Sequence, residues 1–212
     1  MQNGRMSFAA HIVAPARLQT DEFVLRPITA ADAALDFVAV MESRDYLRLW
    51  EQSTWPADDF TVEADRTDLE KLEGWNADRK AFTYTVLDLA ETECLGCVYV
   101  FPLDAAFLAR SHVTAVADTH WEDYDAAVYF WVRASRLASH LDRALLAALR
   151  TWLSREGNLR AHLFVTNEQF TQQADLLGGT DLTVQFEIAE PGKPGRYLAY
   201  APPRPGSLRT AH

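Results

Sequence analysis

The amino-acid sequence predicts an α+β fold with three layers (α/β/α), in which helices flank a mixed, mostly antiparallel sheet. First, several strand-like segments follow one another without a helix between them, which indicates antiparallel pairing. Second, a strand–helix–strand unit runs from Val128 to Val165 and indicates one parallel pair. Hydrophobic residues make up 49% of the 212 residues, so the chain can bury a core of its own.

The first half of the chain predicts a strand, two helices and a hairpin. Apolar side chains alternate in the first strand and recur every three or four residues in the helices. We expect the first helix to break between Ser43 and Asp45, and the second to be capped by Asp59. A short polar turn joins the last two strands, which favours a hairpin. The segments are a strand at 18–28, helices at 30–50 and 60–76, and strands at 82–88 and 93–103.

The second half predicts four strands and two helices after a long polar connection, 104–125, which carries a short helix near 105–111. Loops longer than the usual few residues often carry function. The helix that follows has the clearest pattern of the chain, with leucines and Trp152 on one face and Gly157 placed to end it. The segments are strands at 128–133 and 160–165, helices at 140–155 and 167–177, and strands at 182–188 and 196–201.

These segments fit a single domain. We expect residues 1–17 to be a flexible lead-in, residues 18–201 to form the domain and residues 202–212 to be a disordered tail. The formal net charge of −10 argues against nucleic acid or an anionic membrane as a partner, because both bind clustered Lys and Arg side chains. No apolar run is long enough to span a membrane and no signal-peptide pattern is present, so we expect a cytoplasmic protein.

Cys94 and Cys97 form a CxxC pair within a predicted strand. Residues three apart in a regular strand face opposite sides, so the two sulfur atoms are expected to diverge. A zinc site would need further ligands, and neither a second CxxC nor a pair of histidines follows. We therefore expect no metal site and interpret both cysteines as small buried side chains. A redox role for the pair is the least favoured functional hypothesis.

Three sequence motifs, taken together with the order of the elements, carry a resemblance to a known family. The first is the opening strand and cap, Leu18 to Asp32. The second is Phe130-Trp131-Val132-Arg133, followed by Ala144-Leu145-Leu146 in a helix. The third is Asn167, followed after a short helix by Leu177-Gly178. In this order and spacing the motifs resemble the GNAT superfamily of N-acetyltransferases, in particular the branch that modifies ribosomal proteins and small molecules.

The resemblance implies an acyl-CoA-dependent N-acyltransferase with acetyl-CoA as cosubstrate. The backbone groups of Phe130, Trp131 and Val132 would bond the pantetheine arm like an added strand, and Asn167 would orient the same arm. The acceptor would be a small-molecule amine or a protein N-terminus. A homodimer is a possible assembly, and neither nucleic acid nor a membrane is expected as a partner.

The loop that binds the coenzyme pyrophosphate in the family departs from its usual pattern. The motif places the loop on residues 137–142, where His140 and Asp142 replace glycines that let backbone N–H groups approach phosphates. Asp142 also adds a negative charge, which repels phosphate unless a cation neutralises it. Arginines near the loop could bind the phosphates directly, or could simply be solvated. The residues predicted to hold this part of the coenzyme are Arg133, Arg136, Ala138, Ser139 and Arg143.

Two catalytic positions of the family fall on alanines. The general base corresponds to Ala127, and the tyrosine that protonates the departing thiolate corresponds to Ala174. Alanine transfers no proton, so a replacement base is expected from the polar loop before the strand at 128–133 or from the hairpin. Two functions stay open: an N-acyltransferase with a loosened pyrophosphate site, or a catalytically inactive module of the same fold that binds a ligand or a protein. The candidate catalytic residues are His120, Glu122, Asp125 and Tyr129.

Overall fold

The computed structural model of the chain describes residue 8 and residues 12–13, 15–159 and 161–203. The strands in this part of the chain are β1 (Leu18–Gln19), β2 (Val24–Pro27), β3 (Phe82–Leu87), β4 (Cys94–Pro102), β5 (His112–Ala115), β6 (Ala126–Val132), β7 (His162–Asn167), β8 (Thr183–Ala189) and β9 (Tyr197–Ala201). They form one sheet in the order β1-β2-β3-β4-β6-β7-β9-β8-β5. Neighbouring strands pair antiparallel, except for the parallel pair β6 and β7.

Helices cover both faces of this sheet. On one face, Val128 and Phe130 of β6 pack in a buried cluster with Leu145 of the helix that follows. On the other face, Tyr129 and Trp131 of the same strand join a second cluster with the first three helices. The predicted three-layer fold is therefore confirmed. The helices are α1 (Ala33–Glu42), α2 (Arg44–Glu51), α3 (Val62–Ala77), α4 (Ala106–Ala109), α5 (Leu141–Arg155) and α6 (Thr171–Gly178).

The first predicted strand is in fact a short hairpin of β1 and β2. Thr20 makes the turn, because its Oγ1 accepts hydrogen bonds from the N–H groups of Glu22 (3.1 Å) and Phe23 (3.0 Å). The break between α1 and α2 lies at Ser43, as expected. The cap of α3 is Thr61, whose side chain accepts the N–H of Ala64, and not Asp59.

The structure differs from the predicted N-terminal boundary of the domain. Ile12 falls within the predicted flexible lead-in, yet its side chain is fully buried in the first core cluster.

In the connection after β4, the sequence analysis missed β5, which pairs with β8 at the edge of the sheet. The predicted disordered tail lies outside the described residues from position 204 onward. No described helix is long and apolar enough to cross a membrane.

β6 and β7 pair over only part of their lengths, and this positions the site. The parallel register joins Ala126–Val128 to residues 162–164, after which the two strands separate. The second half of β7 continues instead on β9. The second half of β6 therefore has one edge, from Tyr129 to Val132, that is not paired with β7.

A bulge in β4 changes the direction of its cysteines. Cys94 lies opposite Leu87 and Gly96 lies opposite the preceding residue of β3, so Leu95 is an extra residue in the strand. Gly96 has a φ of 153°, and a Cβ there would lie 2.1 Å from the Trp131 carbonyl oxygen. Because of the bulge, both thiols point to one side of the sheet, and the prediction that the sulfur atoms diverge was wrong.

Candidate active site

The unpaired edge of β6 is hydrogen-bonded by side chains from two helices. The Tyr46 hydroxyl of α2 donates to the Val132 carbonyl oxygen. The Gln173 side chain of α6 donates to the Phe130 carbonyl oxygen at 2.9 Å, and the Trp50 indole donates to the Gln173 side chain at 3.2 Å. These contacts hold α2 and α6 across the gap between β6 and β7.

The next strand is tied to the same helix. Asn167, at the end of β7, is fully buried. Its side-chain amide donates to the Leu49 carbonyl oxygen of α2, and its side-chain oxygen accepts the N–H of Gln169 at 2.8 Å. Two backbone carbonyls of β6 and the side chain of Asn167 are therefore bonded within the chain.

The carboxylate of Glu42, at the end of α1, accepts hydrogen bonds from the loop after β6. Residues 134–139 form a 3-10 helix, and His140 adopts a left-handed conformation (φ 59°) before α5 begins. The Ser135 N–H donates to the Glu42 carboxylate at 3.1 Å, and Arg133 donates to the same carboxylate at 2.7 Å. The hydrogen bond from Arg133 lowers the pKa of Glu42 to about 2. An internal carboxylate thus occupies the donors at this point of the loop.

Two further charged side chains at the loop, those of Arg136 and Asp142, also have partners within the chain. Arg136 forms an ion pair with Glu93, which also pairs with Arg133 at 3.0 Å. The Asp142 carboxylate accepts the Arg143 N–H at 2.8 Å and a side-chain hydrogen bond from α6. The carboxylate expected to repel phosphate therefore caps the first turn of α5.

On the face of the sheet that carries the Tyr129 side chain, a cavity of about 430 Å³ opens beside β6. We call it the aromatic cavity, because most of its lining side chains are aromatic. The Tyr129 side chain of β6 is one of them and lies within 6.3 Å of the Tyr197 ring, centroid to centroid. The lining residues are Trp50, Glu51, Trp55, Asp68, Lys71, Leu72, Trp75, Tyr99, Phe101, Phe107, Tyr129, Glu190 and Tyr197.

Three carboxylates and one ammonium group line the aromatic cavity. The carboxylates are those of Glu51, Asp68 and Glu190, and Glu51 is already paired with Lys193 at 2.6 Å. The ammonium group is that of Lys71, whose Nζ lies 4.9 Å from the centroid of the Trp75 ring. This distance is typical of a cation–π contact. Burial raises the pKa of Glu190, so this carboxyl group is a weaker acid and a stronger base than an exposed glutamate.

No family model matches this chain, and no curated protein matches it either. Solved structures do. The ribosomal-protein-S5-alanine acetyltransferase from Vibrio fischeri superposes with a TM-score of 0.65 at 16% identity, over 87% of this chain and 94% of its own. RimL, the ribosomal L7/L12 alpha-N-protein acetyltransferase, was solved with coenzyme A and superposes with a TM-score of 0.64 at 14% identity, over 85% and 93% of the two chains.

A third similar structure is the microcin C7 self-immunity acetyltransferase MccE in complex with acetyl-CoA and AMP. Its TM-score is 0.62 at 13% identity, over 85% of this chain and 92% of that one. The chain has the GNAT acetyltransferase fold. Sequence identity this low establishes a shared architecture, and it confirms at that level the resemblance that the three motifs predict.

In this GNAT fold, only one of the four predicted catalytic residues reaches the aromatic cavity. Tyr129 lines it. His120 and Glu122 belong to a 3-10 turn before β6, and the Asp125 carboxylate accepts the Ala161 N–H at 3.0 Å. Asp125 precedes Tyr129 by four residues of extended chain, which is ~13 Å at the usual rise of a strand. Catalytic roles for these three residues stay predictions.

The predicted coenzyme residues of the GNAT fold lie together, around the gap and the loop. Trp131 faces the second core cluster and donates its indole N–H to the Tyr99 hydroxyl at 3.2 Å. Ser139 donates its hydroxyl to the Arg136 carbonyl oxygen at 2.8 Å, and Ala138 lies in the same 3-10 turn. Their contacts with a coenzyme stay predictions as well.

The sequence analysis missed the carboxylates of the aromatic cavity. Glu51 ends α2, Asp68 lies on α3 and Glu190 follows β8, so the fold alone brings them together. No spacing in the sequence signals this group. The only signal for the cavity is the density of aromatic residues, which is also typical of a core.

Proposed function

We propose that the chain is an acyl-CoA-dependent N-acyltransferase that transfers an acetyl group from acetyl-CoA to an amine. The observation that carries this proposal is the aromatic cavity, which opens beside the unpaired edge of β6 in a GNAT fold. The coenzyme A and acetyl-CoA present in the RimL and MccE structures support the choice of cosubstrate. The similar structures named above are all acetyltransferases.

The acceptor that suits the aromatic cavity is a cationic amine with an apolar body. Aromatic rings bind both apolar groups and ammonium ions, and carboxylates attract the charged form of an amine. The contact of Lys71 with Trp75 is an internal example of an ammonium group held on a ring of this cavity. A small arylalkylamine satisfies these conditions more fully than a polar amine of equal charge.

Glu190 is the base that we assign to the reaction. The amine must lose its proton before its nitrogen attacks the thioester carbonyl carbon, and the pKa of Glu190, raised by burial, makes it a stronger base than an exposed glutamate. The new C–N bond forms as the C–S bond breaks, and the second proton that the amine nitrogen loses passes to the departing thiolate, so coenzyme A leaves as its thiol. Holding the two reactants together supplies much of the remaining rate.

Coenzyme binding must replace the contacts on β6. The pantetheine amides would take the place of the Tyr46 hydroxyl at Val132 and of the Gln173 amide at Phe130. The exchange conserves the number of hydrogen bonds to β6, so its net cost is modest. At the loop, the Glu42 carboxylate would have to leave the Ser135 N–H before a phosphate could bind there.

A second function is favoured by the same internal contacts. A chain whose coenzyme contacts are permanently made by its own side chains would be a catalytically inactive module. Such a module would bind an amine ligand or a protein partner at the aromatic cavity. The contacts of Glu42, Tyr46 and Gln173 are the observation that supports this alternative.

An acetyl-transfer assay separates the two functions. The chain is incubated with acetyl-CoA and either 2-phenylethylamine, ethanolamine or a short peptide with a free N-terminus, and the release of free thiol is measured. We expect the fastest release with 2-phenylethylamine, because it places a ring and an ammonium group in the cavity together. If the amines quench tryptophan fluorescence but no thiol is released above the amine-free rate, the inactive module replaces the enzyme.

A further inference from the structure

A buried cluster of two thiols and a carboxylate lies between β4 and α1, outside the gap between β6 and β7. The Cys94 Sγ is 3.4 Å from the Asp36 Oδ1, and the Cys97 Sγ is 3.3 Å from the same oxygen. The ligand atoms of the three residues all lie within 4.8 Å of one another. Each side chain is buried, with an exposure of 3% for Asp36 and 1% for each cysteine.

The backbone builds this cluster by a specific device. The bulge at Gly96 turns both thiols to the face on which α1 packs, and α1 presents Asp36 to them. A regular strand would send one thiol to the opposite face. Replacement of Gly96 is blocked by the Trp131 carbonyl oxygen, so β6 holds the bulge in place.

The two thiols donate hydrogen bonds to the Asp36 carboxylate, and these separations are close to those of ligand atoms around a metal ion. Zn–S bonds of ~2.3 Å and Zn–O bonds of ~2.1 Å in a tetrahedron place ligand atoms ~3.6–3.8 Å apart. The two S–O distances of 3.4 and 3.3 Å lie a few tenths of an ångström below this range. If the three side chains moved apart by a few tenths of an ångström, they would accommodate a zinc ion.

A second carboxyl group, Asp65 of α3, completes the surroundings. It contacts Asp36 and is 1% exposed, and its Oδ2 has no hydrogen-bond partner among the described residues. Two adjacent carboxyl groups in an apolar core are costly unless a cation or a shared proton offsets their charge.

We propose that Cys94, Cys97 and Asp36 bind a zinc ion as thiolates and carboxylate, and that Asp65, which contacts Asp36, is the candidate for the fourth ligand. Thiolate ligands select zinc over magnesium or calcium, and a carboxylate disfavours copper(I). Binding one Zn²⁺ releases the two thiol protons, so the net charge of the cluster does not change. The ion would enter during folding and hold α1 against β4, which makes its role structural.

Cobalt substitution tests the site without any variant. The full-length chain is unfolded with chelator, refolded with Co²⁺ and examined for a thiolate-to-cobalt charge-transfer band. The chain contains only two cysteines, so such a band reports on Cys94 and Cys97 alone. We expect about one cobalt per chain, displaced by one equivalent of zinc. Refolding to the same circular dichroism spectrum without any thiolate band would overturn the proposal.

Zinc content and stability provide the second measurement. We expect protein purified without chelator to contain about one zinc per chain, and removal of the zinc to lower its melting temperature. In the variants C94S and D36N we expect zinc content to fall at least tenfold, whereas the variant H120Q, altered at an exposed histidine far from the cluster, should keep it. Zinc that remains at wild-type content in C94S would place the ion elsewhere and overturn the proposal.

Discussion

The two regions that meet at β6 differ in how many of their polar groups are hydrogen-bonded within the chain. We call the backbone edge of β6 with the 134–139 loop the coenzyme edge. There, carbonyl oxygens and N–H groups are bonded to Tyr46, Gln173 and Glu42. The aromatic cavity on the other side of Tyr129 is open, and its rings and carboxylates surround empty volume. In the proposed function, the acceptor would therefore enter directly, whereas the coenzyme would compete with internal contacts.

The largest effect is expected at Gly96, because β4 supports both regions. In the variant G96A, the added Cβ meets the Trp131 carbonyl oxygen of β6. We expect a loss of ~3 kcal/mol or more in the free energy of unfolding, measured by urea titration. The matched variant G74A lies on exposed α3, where nothing is within 4 Å of the new Cβ. It should gain ~0.5–1 kcal/mol, and equal losses in both variants would contradict the role of the bulge.

The next effect concerns the aromatic cavity alone. In the variant E190Q, the proposed base is lost, and we expect kcat/KM to fall by about 10²-fold. Because burial raises the pKa of Glu190, wild-type kcat/KM should rise with pH through that raised value as the carboxylate forms. The variant should lack this rise. The control E22Q, at an exposed turn, should retain the wild-type pH profile; an unchanged profile in E190Q would remove Glu190 from the mechanism.

A smaller and opposite effect is expected at the coenzyme edge. The variant E42Q removes the internal anion and weakens its hydrogen bonds with Arg133 and the Ser135 N–H, because a neutral amide oxygen is a weaker acceptor than a carboxylate. We expect acetyl-CoA to bind about tenfold more tightly, equivalent to ~1.4 kcal/mol, because a like charge leaves the phosphate region. Isothermal titration calorimetry measures the change. Weaker binding in E42Q would mean that Glu42 organises the site and does not compete with the coenzyme.

The smallest effect is expected from the single hydroxyl on β6. In Y46F the Val132 carbonyl loses its donor, while the ring can still stack on Phe170 at 5.4 Å. We expect unfolding free energy to fall by ~1 kcal/mol and coenzyme binding to tighten a few-fold. In Y84F, where the buried hydroxyl has no described partner, neither quantity should change. A Y46F variant that behaves like Y84F would show that the contact does not compete.

The sequence carried the order of the elements because their periodicity is local. Helix α5 and the hairpin of β3 and β4 keep regular spacing, so they were predicted within a few residues. The bulge at Leu95 was not predicted, since one extra residue in a strand leaves no periodic signal. That single residue reversed the expected direction of one cysteine, and it is the reason that we propose a metal site where the sequence predicted none.

The sequence predicted the coenzyme edge of the candidate site but not the carboxylates of the aromatic cavity. The motifs placed the coenzyme residues around the gap of β6 and β7, because those motifs are continuous in sequence. The residues that now occupy the gap, Tyr46 and Gln173, come from two distant helices and carry no motif of their own. Likewise, the hydrogen bonds that the Asp142 carboxylate accepts from the Arg143 N–H and from α6 were not predicted, while its repulsion of phosphate stays a prediction. Tertiary contacts of this kind cannot be read from spacing.

A crystal structure of the chain with acetyl-CoA tests the competition at β6 most directly. We predict that the pantetheine amides bond Phe130 and Val132, that the Tyr46 hydroxyl and the Gln173 amide have left these carbonyls, and that the acetyl group points toward Tyr129. A structure in which Tyr46 and Gln173 keep their bonds to β6, with acetyl-CoA bound elsewhere or absent at millimolar concentration, would contradict the account.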